Sequence, residues 1–138
     1  MASNLKYSAA LKNAQQNAIT TAAGASALLL IYSGTQATNP DTAIGAQVLL
    51  ATLTCNATFA PGAAAGVLTL NAITNGTGTA GAGAGTAATW YRLTTAGGTA
   101  LIDGSIGTSG SDLNLTGTTS IATGQTVSVS SATYTNAN

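Results

Sequence analysis

The chain has 138 residues, more than half of them Ala, Thr or Gly, and only three basic and three acidic side chains, with no His and one Cys. Its net charge is zero. Without His or Glu it lacks the groups most enzymes use for proton transfer, and three cations cannot release the counterions that drive nucleic-acid binding.

The segment from Ser3 to Ala23 reads as a helix, with Ser3 or Asn4 as its cap and Gly24 as its stop. Leu11, Ala14, Ala18, Ile19 and Ala22 fall on one helical face. This thin apolar stripe would be marginal alone in water, so the helix must dock on its own domain or on a neighbour.

Beyond Gly24 the pattern turns to strands. Leu28 to Tyr32 is a short apolar run ended by Ser33-Gly34. Thr35 to Gly45 is a loop with the turn signal Asn39-Pro40-Asp41. Gln47 to Thr54 alternates as a second strand and Val67 to Thr74 as a third, with Ala60-Pro61-Gly62 breaking the chain between them. Asn75 to Thr86 is low-complexity Gly, Ala and Thr, expected to be a mobile surface loop or to be ordered only by a partner. Ala87 to Thr95 and Thr99 to Ile106 read as an antiparallel hairpin turning at Ala96-Gly97-Gly98. Leu113 and Leu115 mark a short strand. Thr126 to Thr135 closes the chain, with Val127 and Val129 on one face and Ala132 and Tyr134 on the other.

Short strands between Gly-rich turns, with one helix, predict an all-β fold. The expected architecture is an antiparallel β-sandwich, jelly-roll or immunoglobulin-like, over 24–138, preceded by a helix or arm over 1–23. No fixed-period repeat suggests a solenoid. Neutrality with a mean hydropathy of +0.31 argues against disorder and favours association, because little repulsion keeps copies apart.

The longest apolar run, Ala27 to Tyr32, is too short to span a bilayer, and polar residues interrupt any signal-peptide pattern after Lys6 and Lys12. The sequons at Asn56, Asn75 and Asn114 therefore carry no weight. Cys55 has no His to activate it and reads as a buried small hydrophobe. Ser109-Gly110-Ser111-Asp112 reads as a turn in which Asp112 bonds nearby backbone N–H groups. Asp112 and Asn114 supply too few oxygens for calcium, and zinc lacks ligands. Gly76-Thr77-Gly78-Thr79-Ala80-Gly81 spells a dinucleotide fingerprint but opens no helix, so no cofactor is expected. Arg92 is expected to pair with Asp103 or Asp112 or to stack on an aromatic ring, and Trp90 to sit in the core. No catalytic, cofactor-binding or metal-binding residue is assigned.

Several motifs run in order along most of the chain. They are Lys12-Asn13-Ala14, Leu30-Ile31-Tyr32-Ser33-Gly34-Thr35-Gln36, Asn39-Pro40-Asp41-Thr42-Ala43, Ala88-Thr89-Trp90-Tyr91-Arg92, Asp103 to Leu115, and Ser120-Ile121-Ala122-Thr123-Gly124-Gln125. In these the chain resembles a family of small tailed-phage and prophage virion structural proteins encoded near capsid genes. It departs from that family in its thinned charge. The resemblance implies a non-enzymatic capsid decoration or cement protein, made in the host cytoplasm and placed on the head exterior. Its implied partners are the major capsid protein and copies of itself, with no nucleic acid and no membrane. A tail or head–tail connector component and a carbohydrate-binding fibre module are the alternatives. Met1 to Ala23 and Asn75 to Thr86 are the segments expected to touch neighbours.

Overall fold

A computed structural model describes residues 4–136. Its one α-helix, α1 (Ala9–Ala23), begins after Ser8, whose Oγ accepts a hydrogen bond from the Leu11 N–H at 3.2 Å. That bond satisfies one of the donors a helix start leaves unpaired. The cap is therefore Ser8; Asn4 precedes the helix, and the other expected cap, Ser3, lies outside the described residues. The helix ends at Gly24 (φ 68°), as its sequence predicts.

Eleven strands follow: β1 (Leu28–Ser33), β2 (Val48–Thr54), β3 (Val67–Thr69), β4 (Gly76–Thr77), β5 (Thr86–Ala87), β6 (Trp90–Thr94), β7 (Ala100–Gly107), β8 (Leu113–Leu115), β9 (Ser120–Ile121), β10 (Thr126–Val127) and β11 (Val129–Thr135). Seven of them form one sheet in the order β2-β1-β6-β7-β8-β11-β3, and β10-β4 and β5-β9 are two-stranded ribbons. The β7–β8 pairing is parallel, so the sheet is mixed rather than wholly antiparallel. The β6–β7 hairpin forms as its turn residues predict, with the Gly98 N–H donating to Thr95 O at 3.0 Å. The expected third strand shortens to β3, whose ladder with β11 covers Val67–Thr69 and is followed by one further bond, from the Leu70 N–H to Ala132 O.

The hydrogen-bonded path also curls back on itself. Gly78 bridges to Ala51 and Thr74 to Thr54, which ties the segment around β4 to the free side of β2. Strand β10 pairs with β4 and lies one residue before β11. The path thus runs from β2 across the sheet to β11 and returns through β10 and β4.

Apolar side chains fill the enclosed space, among them Leu29, Ile31, Leu53, Leu68, Leu93 and Leu115. Each contributes roughly 1.5–3 kcal/mol by leaving water. The register shifts at three places in the sheet, and two of these bulges decide which residues face the core. One lies opposite Ile31 and Tyr32, where Leu50 is skipped, and both Leu50 and Ala51 become fully buried. The other lies between Val129 and Ser131. It reverses the alternation within the last strand, so Val127, Val129, Ala132 and Tyr134 all pack into one core rather than onto opposite faces.

The Gly-rich stretch takes up regular structure and packs against the sheet. It supplies β4, a 3-10 turn at Ala80–Ala82 and the start of β5, and Ala82 is fully buried. A Cβ on Gly78 would lie 1.9 Å from the Ala122 carbonyl oxygen, so only Gly lets the two backbones approach.

Candidate functional site

Helix α1 is held to the β domain by its polar side. The Gly66 N–H donates to Asn13 Oδ1 and the Ala63 N–H to Asn17 Oδ1, both at 2.8 Å. Asn136 Nδ2 donates to Gln15 Oε1. Asn13 and Asn17 lie one helical turn apart and so present their acceptors to the same loop. Gln16 and Ala23 are buried under the helix, and Ile19 packs against the core.

The apolar stripe mostly faces the other way. Leu11 is 47% exposed, and Ala14, Ala18 and Ala22 are exposed as well. Of the five residues aligned in the sequence, Ile19 alone turns inward. An amphipathic helix ordinarily buries its apolar face. Here short polar side chains find backbone donors in the 63–66 turn, and their hydrogen bonds fix the opposite orientation. Three residues of the stripe, Ala18, Ile19 and Ala22, form one wall of an apolar groove of about 240 Å³, with Leu101 and Ile102 of β7 as its other wall. The contribution of β7 had no signal in the sequence, because the groove joins segments far apart in the chain. Apolar area left in water costs about 25 cal/mol per Å², which is recovered when a second surface covers it.

Arg92 is not part of that surface. It is 5% exposed and pairs with Asp103, Nε to Oδ1 at 2.6 Å and Nη2 to Oδ2 at 2.8 Å. Nη1 donates to Thr42 O at 3.0 Å and Nη2 to Asn39 O at 3.2 Å, which pins the loop after β1 over the sheet. The guanidinium lies 5.5 Å from the Trp90 ring centroid, and Trp90 stacks on Tyr32 at 4.9 Å. The Asp103 hydrogen bonds raise the Arg92 pKa further, and burial pushes the Tyr32 phenol up. Of the expected Arg92 partners, Asp103 and an aromatic ring are the ones in place. Trp90 is in the core as expected, and Tyr91 is fully buried beside it in sequence. Neither ring offers a face to a sugar.

Asp112 Oδ2 accepts from the Ser105 N–H at 2.9 Å and from Ser105 Oγ at 2.8 Å. The chain bends over 109–112, and the backbone N–H that Asp112 accepts from is that of Ser105, outside the bend. Asn114 is bonded to Ser111 and Ser131. Cys55 is buried, and burial pushes its thiol up to about 11, away from a reactive thiolate. Among the described residues no three His, Cys, Asp or Glu side chains cluster as metal ligands, and no helix is long and apolar enough to cross a membrane.

In comparisons with known proteins, no protein family, curated protein or solved structure matches the chain.

Proposed function

We propose that the chain is a structural subunit of a phage virion, and most specifically a capsid decoration or cement protein that binds the outside of the head and stabilises contacts between capsomers. The observation that supports an assembly role is the outward apolar stripe of α1 with the groove beside it. The phage and capsid part of the reading rests on the sequence resemblance.

The partner surface is the major capsid protein, with neighbouring copies of the chain at the contact. Binding through aliphatic and hydroxyl groups depends weakly on salt, because no free Arg or acidic cluster carries it. Repetition over a symmetric shell adds avidity, so each contact can be weak. The curled sheet closed by β10 and β4 is read as a sandwich of jelly-roll or immunoglobulin type. The chain does no chemistry in this reading: its most buried cation is committed to Asp103, and its thiol is buried.

The test is co-sedimentation of the purified protein with phage heads that lack it. Saturable binding, little changed between low and high salt, supports the proposal. No binding to heads, with binding to purified tails instead, transfers the chain to a tail or connector role.

A further inference from the structure

A second cavity opens under α1, where the sheet splits. Strand β8 is only three residues long and meets β7 only at Ile106 and Gly107. The earlier part of β7 and the end of β11 therefore diverge. The gap between them is a crevice of about 250 Å³, roofed by α1. Its lining includes Gln16 and Ile19 from the helix, Tyr91, Ile102, Asp112 and Tyr134.

Two polar atoms at this crevice stand out. Gln16 is 6% exposed and its Oε1 has no hydrogen-bond partner among the described residues, and the hydroxyl of the fully buried Tyr91 has only the Tyr134 phenol to engage. The Tyr134 hydroxyl lies near enough to perturb the Tyr91 phenol. Leaving a buried polar group unpaired costs about 1–3 kcal/mol, so the Gln16 acceptor at this cavity calls for an occupant. Gly104 keeps the space open to the phenol: a Cβ there would lie 2.6 Å from the Tyr91 ring.

The lining selects the occupant's chemistry. Gln16 Oε1 can only accept, and the phenol oxygens can accept. Two carboxylates line the crevice, Asp103, which Arg92 neutralises, and the exposed Asp112, which has no salt-bridge partner among the described residues. No cation lines the crevice, which disfavours an anion. Ile19 and Ile102 give it an apolar wall, and the same two residues line the adjoining apolar groove. Acceptors and one unpaired carboxylate, beside an aliphatic groove that shares Ile19 and Ile102, match a cation on an alkyl stem. The volume is several times the roughly 30 Å³ share of one water.

We propose that this crevice is a binding site for an alkylammonium group, supplied either by a free small amine or by a lysine side chain of an assembly partner. The site belongs to the isolated chain and does not depend on where the chain assembles.

The test is titration of the ¹⁵N-labelled protein with n-butylammonium chloride, read by amide chemical shifts against sodium chloride at equal ionic strength. Saturable shifts are expected at Gly104, at Ile102 and at the Gln16 side-chain amide. Asp112→Asn keeps an acceptor for Ser105 and is expected to weaken binding about tenfold, the scale of one hydrogen bond to a charged group. Gln16→Leu replaces the buried acceptor with an apolar side chain of similar size and is expected to abolish the saturable shifts while the protein remains folded. A lysine source predicts that Nα-acetyl-lysine N-methylamide binds more tightly than n-butylammonium, and a free-amine source predicts the reverse. Shifts that fail to saturate, that n-butanol reproduces, or that persist unchanged in both folded variants overturn the proposal.

Discussion

Arg92 and Asp103 face each other directly across strands β6 and β7, and the guanidinium holds the carboxylate through two parallel hydrogen bonds of 2.6 and 2.8 Å. The same guanidinium reaches the Asn39 and Thr42 carbonyls, so one side chain joins two strands to the loop that covers them. A buried pair of this kind costs more to break than to replace.

Asp103→Ala leaves the Arg92 charge buried and unpaired, and is expected to cost about 3–5 kcal/mol in urea denaturation. Replacing both partners, Arg92→Met with Asp103→Leu, is expected to cost less than the single change. A double variant at least as unstable as Asp103→Ala would contradict this account of the pair.

Gly78→Ala places a Cβ against the Ala122 backbone, which cannot step aside as a flexible side chain can. A loss of about 3 kcal/mol or more is expected from such a clash. Gly83→Ala, in the same stretch but with nothing within 4 Å of its Cβ, is the comparison. It carries only the strain of its backbone, φ 58° with ψ −139°, which a side chain adopts at a cost of about 1–3 kcal/mol. Equal thermal stability of the two variants would show that the Gly-rich stretch is not built into the fold as described.

Alkaline pH is expected to destabilise the protein. Burial raises the Cys55 thiol from 9.0 to about 11 and raises the Tyr91 and Tyr134 phenols above their ordinary 10.0. Above pH 9 the unfolded chain therefore holds fewer protons than the native one, and stability falls as pH rises. The thiol's contribution is intact below pH 9 and is lost by about pH 11, roughly 2–3 kcal/mol in all. The phenols extend the loss upward from pH 10. Urea midpoints measured from pH 7 to 11 check the sign, and a flat profile would contradict the burial of these groups.

The two faces of α1 are expected to respond oppositely to substitution. Asn13→Ala and Asn17→Ala each remove a hydrogen bond to the 63–66 turn and are expected to cost about 1 kcal/mol. Leu11→Lys, on the outward face, is expected to change stability by no more than about 0.5 kcal/mol while weakening assembly. The reverse pattern in thermal unfolding would place the apolar stripe against the chain's own core.

Much of the sheet was legible in the sequence. Leu28 to Tyr32 and Gln47 to Thr54 showed as an apolar run and an alternation, and Gly97-Gly98 marked the hairpin. What escaped was set by distant partners. Asn13 and Asn17 bond residues 53 and 46 positions away, so the side of α1 that docks was not written in its own periodicity. The bulge before Ser131 depends on the register with β8, and it alone brings Val129 and Tyr134 into one core. Gly78 looked like part of a slack linker because its reason, a backbone carbonyl pressed against it, belongs to another segment. The candidate surface was legible in part: the stripe on α1 was visible, but its outward direction and the β7 wall were not.

The most direct test of the central claim is cryo-electron microscopy of virions that encode the chain. Density for it is expected at regular positions over the capsid lattice, with Leu11, Ala18 and Ala22 of α1 covered by a neighbouring subunit. Virions without the chain, or with the chain present and the outward face of α1 open to solvent, would contradict it.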